Sequence, residues 1–130
     1  MDHPHLKYQR LIDFCKALPP TSVAVAHPCD EASLTGAMDA ARAGLIAPLL
    51  VGPRDRIEAT ARRFGIDISG VPVIDVPHSH AAAERAVELV REGSAEALMK
   101  GSLHTDELMG AVVRRESGLR TSRRVSHCFV

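Results

Sequence analysis

At 130 residues the chain has the size of one ordinary domain, and with 45% apolar and 25% charged residues it can bury a core. Sixteen Lys and Arg balance sixteen Asp and Glu, so no overall field draws it to nucleic acid or to an anionic membrane. The opening MDHPHLKYQR lacks the apolar stretch of a signal peptide and no run reaches spanning length, so the expectation is a cytoplasmic protein that meets no membrane.

In chain order, LKYQRLIDFCKAL (6–18) reads as a leading helix, and residues 1–19 are set apart as an N-terminal extension. SVAVAH (22–27) is short and apolar, a first strand. In DEASLTGAMDAARAG, Leu34, Ala37, Met38, Ala41 and Leu45 recur at helical spacing, with Asp30 as cap and Gly44 as stop. APLLVG (47–52) is a second strand. PRDRIEATARRFG then places Ile57, Ala61 and Phe64 on one helical face and ends on Gly65. VPVIDVP (71–77) is a third strand, and SHAAAERAVELVREG turns Ala83, Ala86, Val87 and Val90 inward. EALMKG (96–101) is a fourth strand, DELMGAVVRRES a further helix and RRVSHCFV (123–130) a fifth strand.

Short apolar runs alternating with helices of this length predict a doubly wound, mostly parallel sheet in three α/β/α layers. No repeat, linker or low-complexity stretch divides it. The last strand is apolar with no covering helix after it. It therefore pairs with another chain, or residues 20–130 form the front portion of a longer α/β domain.

Ligands of open parallel sheets sit beyond the carboxyl ends of the strands. The exits here are HPCD, GPRDR, PHSH and KGSLHT, which nominate His27, Cys29, Arg54 and His78 as cleft-lining residues. The fourth exit is the richest. Gly101 permits close backbone approach, Ser102 and Thr105 offer hydroxyls, Lys100 a point charge and His104 a donor or proton carrier. From spacing alone, an anion site and a plain helix cap with a solvated lysine are equally good readings. Downstream, RRESGLRTSRR (114–124) holds five arginines, and Arg120-Thr121 beside Gly118 is the pair least readily assigned to solubility.

Other chemistries find little footing. Cys15, Cys29 and Cys128 form no CxxC pair and read as reduced packing residues, Cys29 lying nearest a ligand. HPH (3–5) and HSH (78–80) lack the partners of a metal site, so no metal is expected. There is no GxGxxG, no P-loop and no GxSxG elbow.

ALMKGSLHTDELMGAVVRRESGLRTSRRVSHCFV resembles the phosphate acetyltransferase and phosphate butyryltransferase family, where M-K-G leads to a Ser/Thr loop, a helix, G-L-R-T-x-R and a strand beginning S-H. VAVAHPCDEASLTGAMDAARAGLIAPLLVGPRDRIEATA is similar to the family's opening, so the likeness runs from about residue 20 to the end. The M-K-G and L-R-T wording leans to the butyryltransferase-like side, or to acetyltransferase halves fused to a hydratase. Ser122 stands where the family pattern has glycine.

The resemblance implies acyl transfer between coenzyme A and inorganic phosphate, on a fold like that of isocitrate and isopropylmalate dehydrogenases. It also implies a homodimer, coenzyme A as substrate, and no tightly bound cofactor. Lys100, Gly101, Ser102, His104, Thr105, Arg120 and Thr121 are the implied phosphate or acyl-phosphate residues. No enzyme nucleophile is needed, and the general base is not assigned. Family members are more than twice as long and complete the cleft with a second part. The competing readings are a non-catalytic α/β module that binds a phosphorylated metabolite or a partner chain, and a phosphate-site enzyme of another kind.

Overall fold

The pleat of the first strand, β1 (Thr21–Ala26), divides the molecule into layers. Successive side chains point to opposite faces, so Val23 and Val25 enter one core while Ala24 and Ala26 enter another. The computed structural model describes residues 5–126 and 128, and its elements follow in strict alternation. After α1 (Leu6–Lys16) and β1 come α2 (Glu31–Arg42), β2 (Ile46–Gly52), α3 (Arg54–Phe64), β3 (Val73–Asp75), α4 (Ser79–Arg91), β4 (Ala97–Lys100) and α5 (Thr105–Val112). All pairings are parallel, in the order β3-β2-β1-β4.

Leu34, Ala37 and Met38 of α2 and Ile57 and Ala61 of α3 cover the valine face of β1. On the other face, Ala82, Ala83, Ala86 and Val87 of α4 join Leu108 and Ala111 of α5 over Ala24 and Ala26. Small residues on both sides of that contact let α4 lie close to the sheet. The result is the three-layer α/β/α arrangement expected from the sequence.

Connections β1 to β3 proceed outward in one direction, and α4 then carries the chain back across to place β4 on the other side of β1. The β1–β4 boundary is thus where the strand order reverses. Helices leave it on opposite faces, opening a crevice beyond the strand ends.

Pro48 lies inside β2, yet breaks no ladder bond. The Leu50 N–H donates to Pro72 O on the β3 side, so position 48 faces the same side, before β3 has begun. Prolines also trim β3. Pro72 and Pro77 have no N–H to give, and the expected strand over 71–77 shortens to Val73–Asp75.

Two expectations are corrected. The fifth strand over 123–130 is not formed among the described residues: Arg123–Ser126 are exposed and carry no strand, nor does Cys128, while residues 127, 129 and 130 lie outside the described set. A strand buried on both faces needs a receiving edge and two covering layers, and nothing covers Arg123–Ser126 among the described residues. Phe64 also turns outward. It is 40% exposed at the last turn of α3, where the Arg63 guanidinium stands 5.2 Å above its ring, and Thr60 takes the buried position instead.

The leading helix α1 packs lightly. None of its residues is buried, and Tyr8, Leu11 and Phe14 remain exposed.

Burial, not side-chain size, should therefore rank core substitutions. Leu50→Ala, at a site with no exposure, is expected to cost about 2–5 kcal/mol in urea unfolding, and Phe64→Ala less than about 1 kcal/mol.

Candidate functional site

The ladder between β1 and β4 continues past both strands. Gly101 N–H donates to Ala26 O at 2.8 Å and Ser102 N–H to His27 O at 2.7 Å. A methyl group on Gly101 would overlap the carbonyl oxygens of Ala26 and His27, so only glycine lets the two exits meet this closely. The Ser102 hydroxyl donates to His27 O at 2.9 Å and accepts from Cys29 N–H at 3.2 Å. His27 adopts a left-handed backbone, φ 59°, and turns its ring back onto Ser102 with Nδ1 2.9 Å from the Ser102 carbonyl oxygen.

Above this junction lies a cleft of about 550 Å³. It is lined by Lys100, Gly101, Ser102, Leu103 and His104 from the β4 exit, His27 and Asp30 from the β1 exit, Arg56 of α3, Ser79 of α4 and Glu107 of α5. The Ser79 hydroxyl donates to the Glu107 carboxylate at 2.8 Å, tying the start of α4 to α5. His104 is the N-cap residue of α5, yet no side chain caps that helix. The cap reading of KGSLHT thus gives way. Ser102 bonds the β1 exit, and the leading N–H groups of α5 keep no side-chain partner, a positive helix end beside two cations.

Asp30 does cap α2, accepting from Ser33 N–H at 2.9 Å and from the Ser33 hydroxyl at 2.5 Å. These bonds, with a smaller contribution from Lys100, hold its carboxyl below the usual carboxylate range. It stays ionised throughout the neutral range. Burial pushes the Cys29 thiol up; Arg56 opposes this and Asp30 adds to it. Cys29 therefore remains a thiol at neutral pH, unlike an activated nucleophile.

Of the sequence-predicted residues, Lys100, Gly101, Ser102, His104 and His27 converge on this cleft. Cys29 sits behind it, on an adjoining hollow of about 330 Å³ that shares Asp30 and Arg56. Thr105 opens α5 but does not line the wall. Arg54 faces away: its backbone N–H bonds Asp75 at 2.9 Å and its guanidinium bonds Val73 O at 2.9 Å. His78 caps α4 by accepting from Ala81 N–H at 3.1 Å. Arg120 and Thr121 lie on the exposed stretch after α5, where the Thr121 hydroxyl oxygen accepts from Arg123 N–H at 3.1 Å.

Arg56, Ser79 and Glu107 are cleft residues that the sequence reading passed over. For Arg56 a signal was present. In GPRDR, Arg54 opens the helix and lies against β3, whereas a residue two positions on is rotated by about 200° and faces β1. Among the described residues no three His, Cys, Asp or Glu side chains gather as a metal group, and no helix is long and apolar enough to cross a membrane.

A larger hollow, about 600 Å³, lies at the outer edge between α3 and β3. Ile66, Ile68, Val71 and Val73 contribute much of its lining, and the Arg54 guanidinium there is already bonded. The strand junction, where two cations without an ion-pair partner among the described salt bridges line the cleft beside an uncapped helix start, is the better site despite its smaller volume.

A doubly wound sheet with a polar cleft at its switch point describes a class of small-molecule sites, and similarity to known proteins narrows it. The chain is 56% identical over 124 residues to a phosphate acetyltransferase of Rhizobium meliloti, covering 95% of this chain and 39% of that protein. A phosphate acetyltransferase of Rickettsia felis is 52% identical over 85% of this chain and 32% of its own length. A phosphate butyryltransferase of Clostridium acetobutylicum is 38% identical, over 83% and 36% respectively. Among solved structures, the EutD phosphotransacetylase from Staphylococcus aureus superposes with a TM-score of 0.62 at 17% identity, over 75% of this chain and 39% of that one. No family model matches.

Over the residues matched, the chain belongs to the phosphate acetyltransferase and phosphate butyryltransferase family. It spans only 32–39% of the length of these curated relatives. Identity is higher to these acetyltransferases, 56% and 52%, than to the butyryltransferase, 38%.

Two measurements check this site. Gly101→Ala should lower stability by more than about 2 kcal/mol in urea unfolding, because backbone oxygens rather than mobile side chains block the methyl group. Native Cys29 should react with iodoacetamide at pH 8 at least about tenfold more slowly than in urea, its rate rising only above the ordinary thiol range.

Proposed function

We propose that this chain builds the phosphate-holding wall of an enzyme that moves an acetyl or butyryl group between coenzyme A and inorganic phosphate. One observation carries the reading: two cations, Lys100 and Arg56, line one cleft together with His104, the residue before the uncapped start of α5, at the sheet's switch point. Family membership supplies the reaction. The substrates are acyl-CoA and phosphate, coenzyme A passes through as a substrate, and the protein works in the cytoplasm as a homodimer.

In one direction the coenzyme A thiolate attacks the carbonyl carbon of an acyl phosphate. The C–S bond forms, the carbon–oxygen bond to the phosphoryl group breaks, and phosphate leaves with the electron pair. Negative charge grows on phosphoryl oxygens, so fixed cations and N–H donors lower the barrier. Lys100 and Arg56 neutralise that charge, while His104 and the first N–H groups of α5 donate to the oxygens. Ser102 serves differently from a direct ligand: its hydroxyl proton goes to His27 O, so it holds the loop in shape. Thr105 adds a hydroxyl at the helix start. Arg120 and Thr121 enter through the resemblance, as further phosphate ligands on the stretch that follows α5.

Thiol release from acetyl-CoA or butyryl-CoA tests the reading. With the intact enzyme, release should require phosphate and saturate with it; release indifferent to phosphate, or none, contradicts the proposal. Lys100→Ala should raise the KM for phosphate about tenfold or more with little change for acyl-CoA. Arg120→Ala should slow turnover about a hundredfold.

A further inference from the structure

His27 is 3% exposed and sits at φ 59°, and both ring nitrogens have assigned neighbours. Nδ1 lies 2.9 Å from the Ser102 carbonyl oxygen and 3.1 Å from the Ser102 hydroxyl oxygen. A carbonyl only accepts. The Ser102 hydroxyl lies 2.9 Å from His27 O, which can only accept, so with its proton given there its oxygen is left to accept from Nδ1. Nδ1 must therefore carry the proton.

Nε2 faces the opposite partner. The Arg56 guanidinium nitrogen Nη1 stands 3.4 Å away and can only donate. A neutral ring protonated at Nδ1 offers it a lone pair at Nε2. The other tautomer would set a lone pair against the carbonyl oxygen and an N–H against the guanidinium, failing at both ends. A doubly protonated ring would satisfy Ser102 but press an N–H and a positive charge onto Arg56.

We infer that His27 is a positioning residue, held as the neutral Nδ1–H tautomer so that its Nε2 lone pair aims the Arg56 guanidinium into the anion cleft. Arg56 has no ion-pair partner among the described salt bridges, so this weak contact orients it without neutralising it. Its helix is anchored nearby, since the Thr60 hydroxyl lies 3.2 Å from Cys29 O and 2.8 Å from Arg56 O. The left-handed backbone serves the same end. It turns the ring back under the loop, where Ser102 reads one nitrogen and Arg56 the other. What Arg56 then holds, a phosphate dianion, rests on the function proposed above.

Nitrogen-15 spectra of the histidine rings of the 130-residue chain at pH 7.5 test the first half without any ligand. His27 should show a protonated Nδ1 and a bare Nε2; an Nε2–H tautomer or a doubly protonated ring overturns the inference. For the second half, His27→Asn keeps a donor near the Nδ1 position, tolerates the left-handed backbone, and leaves nothing at Nε2. The Arg56 side-chain resonances should become mobile in this variant, and His27→Gln, whose amide oxygen reaches the Nε2 position, should restore part of their order. Arg56 order that is indifferent to both variants overturns the positioning role.

Titration with inorganic phosphate separates this claim from the functional one. His27→Asn and Arg56→Ala should each weaken binding about tenfold, and the double variant no more than Arg56→Ala alone. Additive losses would show His27 acting independently of Arg56 and overturn the inference. If the parent chain fails to bind phosphate while the tautomer and the Arg56 order are as expected, the phosphate reading falls and the positioning role stands.

Discussion

The close approach of two strand exits at Gly101 is the constraint on which the rest of the site depends. Because position 101 has no side chain, the ladder between β1 and β4 runs two residues beyond β4 and one beyond β1, through Gly101 to Ala26 and Ser102 to His27. That extension brings Ser102 under the β1 exit. It also leaves His27 in a left-handed bend with its ring turned onto the loop. Lys100, the last residue of β4, and the start of α5 are thereby carried to the mouth of the same cleft. A single missing methyl group couples backbone pairing to the placement of charge.

Topology explains why this happens at one strand boundary. Outward winding from β1 to β3 sends α2 and α3 to one face, and the return to β4 sends α4 and α5 to the other. Only between β1 and β4 do the following segments diverge, so only there do two exits face each other across open space. Arg56 reaches that space from α3, which begins beside the neighbouring β2 exit. The outer hollow near β3 is larger, but it lies at the sheet's edge, away from the switch point, and its Arg54 is already bonded.

Much of this was legible in the sequence because buried parallel strands and amphipathic helices have different periods. The alternation gave four of the strands, all five helices and the layer order, and strand-exit logic nominated Lys100, Gly101, Ser102, His104 and His27. What escaped depended on contacts between segments far apart in sequence. Arg54 and Arg56 differ by two positions, yet helical rotation sends one to β3 and the other to the cleft. Ser102 reads as a cap or a ligand, and only the nearness of His27, 75 residues away, makes it a clamp. The fifth strand was inferred from an apolar run alone, and no period announces whether an edge exists to receive it.

The central claim is that inorganic phosphate binds where β1 and β4 meet. Titrating phosphate into the 15N-labelled 130-residue chain, at constant ionic strength, locates it by amide chemical shifts. The account predicts shifts clustered at His27–Asp30, around Arg56 and through Gly101–Glu107. Shifts centred instead on Gly65–Val73, or none up to tens of millimolar phosphate, at the weak end of binding (roughly 1 mM or above), would contradict it.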